Sequence, residues 1–222
     1  MVLAVIGVAP VKTDAAVSRW QSLVLPVGLA LFALVVGVMV VRPQWQAAYL
    51  LGHARQQSAI GNLDRAAALA EEAGRWEPHE AAVPELRAAV AFARWQSRGQ
   101  ANDFAEAIDW QRRAVQLQPA APGGWARLGE FFAAKAAKDD DRAAALEAVA
   151  AFQEASRRHP TSARLWADLA FASRLAKDVE LARTAAERAL AQQSTNEICY
   201  HLDQLLDAET VGRLKMLANG KP

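Results

Sequence analysis

The chain of 222 residues has very little cysteine, few aromatic residues other than tryptophan and phenylalanine, and no long run of one charge. Its single cysteine, Cys199, excludes an intrachain disulfide, and its apolar helical surroundings place it in the expected core. The net charge of +1 lacks the basic excess that nucleic-acid binding requires, so we expect no nucleic-acid partner. Valine and isoleucine are scarce after residue 42, whereas alanine and leucine abound, and this composition predicts an all-α fold.

Sequence signatures of catalysis and metal binding are also missing. The chain contains no G-x-S-x-G, Walker or G-x-G-x-x-G motif and no H-E-x-x-H pair. The run Asp139–Asp141 lacks the alternating oxygen ligands of a calcium loop, and we expect it to cap a helix instead. None of the four histidines is spaced for a shared metal: His53, His79, His159 and His201. We therefore predict a protein that is not an enzyme and that binds no cofactor and no metal.

Long apolar runs are absent except for one near the N-terminus. Residues 22–41 contain no charged side chain, and twenty helical residues extend about 30 Å, the thickness of a bilayer core. Trp20 and Trp45 flank the run as expected membrane-interface anchors, and Arg42 with Pro43 is expected to end it. The sequence therefore predicts an N-terminal tail (1–21) and a single transmembrane helix (22–42) in contact with membrane lipid.

Two alternatives to a membrane anchor are a buried core helix and a cleaved signal peptide. The run is longer than the usual apolar region of a signal peptide, and no A-x-A cleavage pattern follows it.

Lys12 and Arg19 on one side of the run nearly balance Arg42 and Arg55 on the other, so the flanking charges hardly decide the orientation of the helix in the membrane. The free amino terminus favours a cytoplasmic N-terminus, with the C-terminal part on the extracytoplasmic (periplasmic) side of the cell membrane.

A repeat follows the apolar run. Pro78, Pro119 and Pro160 are spaced 41 residues apart, and an alanine occurs 5 and 12 residues before each of them. These alanines are Ala73, Ala114 and Ala155, and Ala66, Ala107 and Ala148. A fourth unit repeats the alanine spacing before Ser194, with Ala189 and Ala182. Small residues that recur at fixed positions indicate repeated contacts between helices.

The pattern resembles the tetratricopeptide repeat (TPR), in which W-x2-L-G-x2-Y on one helix is followed by A-x3-F, A and P on the next. The third unit matches with Trp125, Leu128, Gly129, Phe132, Ala148, Phe152, Ala155 and Pro160. The fourth unit offers Trp166, Leu169, Ala170, Ser173, Ala182, Ala186 and Ala189. The match is close over 103–194 and looser over 43–102, where the first helices lack the W-x2-L-G signature.

The resemblance implies an α-solenoid of about four TPR-like helix pairs over residues 43–194, followed by capping helices over 195–222. Gly129 and Ala170 are then expected where the two helices of a pair touch, because a small side chain lets the helices approach closely. Trp125 and Trp166 are expected to fill the space beside them. The second and third units are seven residues longer than the consensus, so we expect each of their helices to be about one turn longer.

A stacked array of this kind presents a concave wall that binds other proteins. The resemblance places Glu130 on this wall in the third unit and Arg164, Phe171 and Arg174 in the fourth. The two arginines around a phenylalanine suit an acidic or C-terminal peptide group. The alternative is a solvated face with incidental charges.

Together with the apolar run, the resemblance implies a non-catalytic, membrane-tethered scaffold or adaptor that binds a partner protein or assembles a membrane complex, which we expect in the bacterial cell envelope. A transmembrane helix, R-P and TPR units are also similar to the C-terminal tails of O-antigen ligase and polymerase proteins. The alternative function is thus an accessory subunit or detached tail of such a system. Periplasmic helpers of protein translocation or cytochrome c maturation share the layout, and an exported soluble repeat protein is a further possibility.

Overall fold

The computed structural model describes residues 15–199, 201 and 204–220, with the backbone alone for residues 15–25 and for Val40. The predicted all-α fold is confirmed, since the regular structure of these residues is helical throughout. The chain divides into two compact units, Met1–Gln46 and Ala47–Pro222. The helices are α1 (Ala15–Val36), a π-helical turn (Gly37–Val41), α2 (Arg42–Ala59), α3 (Leu63–Trp76), α4 (Ala82–Arg98), α5 (Ala101–Leu117), α6 (Pro122–Asp139), α7 (Arg142–Arg158), α8 (Ala163–Leu175), α9 (Val179–Ile198) and α10 (Ala208–Ala218).

The first unit exposes apolar side chains around the whole of its helix. Phe32 and Met39 are 67% and 75% exposed, and none of the apolar window in this helix is buried by the protein. By length and composition, the helical stretch Pro26–Ala59 is able to cross a membrane. Trp45 is exposed, whereas the side chain of Trp20 lies outside the described residues. Residues 1–14 of the expected N-terminal tail also lie outside them.

The expectation that Arg42 and Pro43 end this helix is wrong, because α2 follows the π-helical turn directly. The backbone N–H of Arg42 donates to the carbonyl of Gly37, five residues back, instead of four. A proline inside an α-helix lacks one hydrogen bond and its ring collides with the preceding turn. The wider π turn just before Pro43 relieves that collision, so the helix continues to Ala59.

In the second unit, consecutive helices pack in pairs. α4 contacts α5, α6 contacts α7 and α8 contacts α9, and only two or three residues join the members of each pair. Helices in contact along their lengths and joined by so short a loop are antiparallel. The contacts between α3 and α4, α5 and α6, and α7 and α8 connect each pair to the next. This is the stacking expected of an α-solenoid.

The first helices of the second and third pairs, α4 and α6, are longer than α8 of the fourth pair, as expected, whereas their second helices, α5 and α7, are shorter than α9, which has 20 residues. α4, α5 and α7 each have 17 residues and α6 has 18, whereas α8 has 13. The difference is about one helical turn.

The acidic run between α6 and α7 caps a helix, as predicted. Asp141 is the N-cap of α7, and its carboxylate accepts hydrogen bonds from the N–H groups of Ala143 and Ala144. Lys135 bridges Asp139 at 3.2 Å and Asp141 at 2.9 Å, which lowers the pKa of Asp141 and raises that of the lysine. The turn residue between the two carboxylates, Asp140, is left-handed at φ 51°. The tight connection is thus fixed by one lysine and one cap.

Two apolar clusters hold the second unit together. The first cluster contains no aromatic residue and consists of Leu50, Leu51, Ala54, Ala66, Leu69, Ala70, Ala73, Val83, Leu86 and Val90. The second cluster extends from α4 to α10 and includes Trp95, Phe104, Phe131, Phe132 and Phe152. Helix α4 contributes residues to both clusters, which therefore meet along it.

The C-terminal end differs in detail from the predicted pair of capping helices over 195–222. Residues 195–198 extend α9 and, of the residues described beyond them, only 208–218 form an α-helix, α10. α10 packs on α8 and α9 and buries Leu214 and Leu217. Its other face exposes Glu209, Arg213 and Lys215, which gives the stack a polar end. Cys199, expected in the core from its apolar surroundings in the sequence, is instead exposed just after α9.

Candidate functional site

The contact between α6 and α7 depends on Gly129. A Cβ atom at this position would lie 2.9 Å from three ring atoms of Phe152 on α7. Real Cβ atoms do not approach other atoms so closely, so even alanine would displace the ring. The space gained by the glycine is occupied by an aromatic side chain, whereas the sequence suggested a close approach of two backbones. Ala148 and Ala155 lie fully buried on the same helix as Phe152.

The other residues selected by the repeat pattern, one leucine and three alanines, are also buried. Leu128 on α6 is 7% exposed, and Ala170, Ala182 and Ala189 on α8 and α9 are at most 3% exposed. These positions line the contacts within and between the last two helix pairs, since Ala170 and Ala189 belong to the second cluster with no exposed surface. We propose that these buried positions let the helices of the last two pairs approach closely.

Trp125 and Trp166 occupy equivalent, half-buried positions. The indole Nε1 of Trp125 donates to the carbonyl of Pro119 at 3.1 Å, and that of Trp166 donates to Pro160 at 2.8 Å. An arginine lies over each ring, Arg158 at 4.8 Å and Arg188 at 4.7 Å from the ring centre. Each tryptophan thus fastens the loop that precedes its own helix, a role that sequence reasoning missed. The signal was the six-residue interval from each proline to the following tryptophan.

The 41-residue spacing aligns one face of α4, α6 and α8. Along each helix, residues at intervals of four and three share a face. We call the residues that the spacing aligns in this way the inner stripe. They are Ala82, Leu86 and Ala89 on α4, Gly123, Arg127 and Glu130 on α6, and Arg164, Asp168 and Phe171 on α8. Its character changes from apolar on α4 to charged on α6 and mixed on α8.

A cavity of about 380 Å³ opens on this stripe. We call it the groove, and its lining consists of Arg55, Ala82, Glu85, Leu86, Ala89, Gln111, Gly123 and Arg127. Four helices contribute: α2 supplies Arg55, α5 supplies Gln111, and α4 and α6 supply the rest. Because Leu86 belongs to the first apolar cluster and α6 to the second, the groove lies where the two clusters meet.

The charges of the groove are poorly neutralised by the protein itself. Arg55 and Glu85 are exposed and form no ion pair with another described residue. Arg127 pairs with Glu130, one turn further along α6, at 3.5 Å, and both side chains are half exposed. An ion pair of this kind contributes at most about 1 kcal/mol. The groove therefore presents two guanidinium groups that are available to a ligand.

Gln111 forms the buried polar part of the lining. Its side chain has no exposed surface, and its Nε2 donates to the carbonyl of Gly124 in the first turn of α6 at 2.9 Å. No described protein group donates to its Oε1. An acceptor that is buried without a partner is costly, about 1–3 kcal/mol, so such groups are rare in folded proteins.

On α8, the inner stripe contains a carboxylate with a raised pKa. Burial raises the pKa of Asp168 to about 6, and the nearby charge of Glu130 adds to the rise, while Arg164 opposes it. Arg164 pairs with Asp168 at 3.4 Å, which is a long contact for a compensating ion pair. Glu130, Asp168 and Arg164 thus form a charged series that connects α6 with α8.

The four residues predicted to bind a partner lie on the array, but none of them is among the residues lining the groove. Glu130 and Arg164 take part in the ion pairs just described. Phe171, expected to be exposed, is half-buried beneath Arg213 of α10, whose guanidinium lies 4.4 Å from the ring centre. Arg174 is exposed, but its ten-residue separation from Arg164 corresponds to about 15 Å along the helix. That Arg164, Phe171 and Arg174 together hold an acidic group stays a prediction.

The sequence analysis missed Arg127, Glu85 and Gln111. Arg127 was within reach of the 41-residue spacing, since it is aligned with Leu86 and Asp168. Gln111 was not, because nothing in the sequence indicates that a helix α5 side chain reaches the first turn of α6. Within the described part of the chain, no group of three histidine, cysteine, aspartate or glutamate residues is placed to hold a metal ion.

Comparison with known proteins gives a fold and no family. No protein-family model and no curated protein matches the chain. Among solved structures, MamA has a TM-score of 0.54 at 16% identity and covers 68% of this chain and 81% of its own. The TPR protein TTC0263 of Thermus thermophilus has a TM-score of 0.53 at 21% identity and covers 79% and 84%. PilF of Pseudomonas aeruginosa has a TM-score of 0.54 at 16% identity and covers 81% and 78%. At these identities the likeness establishes the fold, which is that of a TPR-like α-solenoid.

Proposed function

We propose that the protein is a non-catalytic scaffold, tethered to a membrane by its N-terminal helix, whose groove binds a segment of a partner protein. The observation that carries the proposal is the groove itself. It is an open cavity whose lining combines the apolar residues Ala82, Leu86 and Ala89 with two arginines, Arg55 and Arg127. Pockets that combine apolar surface with a few charged groups are typical of binding sites.

The side chains of the groove favour binding over chemistry. The residues that line it include one carboxylate, Glu85, and no histidine, cysteine, serine or lysine. General acid–base or nucleophilic catalysis requires such a group beside a second one that activates it. A partner held by shape, apolar contact and charge requires neither. The groove therefore supports recognition without reaction.

The apolar character of the first unit supports the tether. Large side chains such as Leu31, Phe32 and Leu34 are more than half exposed to solvent, which water would strongly disfavour. A bilayer removes this penalty along a stretch of sufficient length. We place the repeat domain on the extracytoplasmic side of a bacterial membrane, with the apolar span, the repeat array over 43–194 and the C-terminal cap as its functional divisions.

Alkaline carbonate extraction of native membranes tests the tether. The protein is expected to stay in the membrane pellet, whereas Leu31→Arg with Leu34→Arg should release it, because two charges in the core of a bilayer are costly. Leu146→Arg is the matched control, since Leu146 is an exposed leucine on α7. Full extraction of the unaltered chain would contradict the tether.

Site-specific photocrosslinking in native membranes tests the groove. A photoreactive residue replaces Ala89 in the groove or, as a control, the exposed Ala150 on α7. A protein partner that is captured from position 89 and not from position 150 supports the proposal. Identical products from both positions, or none from position 89, would contradict it. A multi-span polysaccharide polymerase as the captured partner would identify the protein as an accessory subunit of such a system.

A further inference from the structure

We propose that the groove selects a partner segment that carries one acidic side chain next to a small apolar one. This inference rests on the proposed function and specifies the chemistry of the bound segment. Arg55 and Arg127 would pair with the carboxylate, and the apolar neighbour would pack on Leu86 between Ala82 and Ala89.

The two arginines are the reason to expect an acidic side chain in the bound segment. Arg55 has no ion pair among the described residues, and Arg127 has only the long contact with Glu130 between half-exposed side chains. A contact that is so exposed is readily exchanged for a better one. A guanidinium donates two parallel hydrogen bonds to a carboxylate, which gives both strength and orientation.

Glu85 limits the number of acidic groups that the groove accepts. It lines the same cavity, has no ion pair within the described part of the chain, and would repel a second carboxylate. The lining then has two positive charges and one negative charge. We therefore infer selection for a single acid among neutral residues, and Glu85 supplies a variant whose effect is opposite in sign to that of the arginines.

The test uses three short peptides and the full chain in lipid nanodiscs. The peptides are trifluoroacetyl-Ala-Leu-Xaa-Ala-Gly-amide with aspartate, asparagine or lysine as Xaa, and binding is followed by the broadening of the fluorine NMR signal. The aspartate peptide is expected to bind about tenfold more tightly than the lysine peptide, because two guanidinium groups face it. Raising NaCl to about 0.5 M should remove most of this difference, since the Debye length becomes much shorter.

Charge variants make the test specific to the groove. Arg55→Glu and Arg127→Glu should each abolish or reverse the preference, whereas Glu85→Gln should strengthen binding of the aspartate peptide. Arg142→Glu is the matched control, because Arg142 is exposed on α7 outside the groove. Arg127→Gln serves as a second variant if thermal unfolding shows that Arg127→Glu is not folded.

Two results would overturn the inference. One is equal or tighter binding of the lysine peptide, and the other is a preference for aspartate that Arg142→Glu alters as strongly as the groove variants do. If no peptide binds although position 89 still crosslinks to a partner, selection of an acidic segment is wrong and the proposed function stands. If position 89 captures no partner either, the proposed function fails as well.

Discussion

The two apolar clusters of the repeat domain are built from different side chains. The first, around α2, α3 and the start of α4, contains only alanine, leucine and valine. In the second, aromatic rings are in direct contact, with Phe92 stacked on Phe131 at 4.1 Å and Trp95 against Phe104 at 5.1 Å. Large rings bury more apolar area per residue and add a specific interaction of about 0.5–1.5 kcal/mol per pair. One fold thus begins with a small aliphatic core, which we call the lightly packed region, and continues with a larger core rich in aromatic rings, the densely packed region.

The difference matters for function because the groove spans the boundary between the clusters. Arg55 is on the lightly packed side, whereas Arg127 is on the densely packed side. Regions with fewer buried contacts open more often. A bound segment that contacts both sides would therefore stabilise α2 and α3 more than it stabilises the rest of the array.

The largest expected effect comes from removing one aromatic ring from the second cluster. Phe131, which is 2% exposed, contributes its ring to the contact with Phe92. Phe131→Ala should lower the free energy of unfolding by about 3–5 kcal/mol, because it leaves a cavity between α4 and α6. Chemical denaturation followed by circular dichroism measures the change. A loss below about 1 kcal/mol would mean that the second cluster does not stabilise the fold.

A pair of glycines compares a helix contact in the second cluster with an exposed helix face on α2. Gly129→Leu should destabilise the fold by about 1–3 kcal/mol or more, since the new side chain would collide with Phe152. Gly52→Leu on α2 should be neutral or stabilising, because no atom lies within 4 Å of a Cβ there and leucine favours helix. Melting temperatures of the two variants give the answer. Equal effects at both positions would contradict the assignment of Gly129 to a helix contact.

The inner stripe on α8 predicts a pH dependence. The pKa of Asp168 is about 6 in the folded protein and near 3.8 in the unfolded chain, so the folded state binds more protons in between. The contribution of this group to stability is therefore present below pH 3.8 and is lost as the pH rises through 6. Asp168→Asn should remove this loss and make the variant more stable than the original protein above pH 6. Chemical denaturation between pH 4 and 8 measures the free energy of unfolding of both proteins. Parallel plots of this free energy against pH would show that the pKa of Asp168 is not raised in the folded protein.

The smallest expected effect concerns the tryptophans that fasten the loops. Trp166→Phe removes the hydrogen bond to Pro160 and most of the stacking with Arg188, and it should cost about 0.5–1.5 kcal/mol. Trp76→Phe is the matched control and should leave the melting temperature nearly unchanged, because Trp76 is 40% exposed at the end of α3. A larger effect at position 76 than at position 166 would argue against the loop contact.

The sequence was sufficient for the helices and the order of the pairs, because alanine and proline recur at fixed intervals wherever helices touch and end. It was also sufficient for Asp141 as a cap, since N-capping depends on neighbouring residues alone. It failed at Pro43, where a π turn absorbs the ring, and at Cys199, whose exposure depends on where α9 ends. It failed again at Gln111, because contact between α5 and the first turn of α6 is set by tertiary packing. Repeat spacing and N-capping were thus predictable from the sequence, whereas the π turn, the end of α9 and the contact of Gln111 with α6 were not.

Hydrogen exchange with mass spectrometry on the full chain in nanodiscs tests most directly the claim that a lightly packed region and a densely packed region meet at the groove. Peptides from α2 and α3 are expected to exchange at least about tenfold faster than peptides from α6 and α7, because fewer buried contacts oppose their opening. Uniform protection from α2 to α9 would contradict the claim. So would faster exchange in α6 and α7 than in α2 and α3.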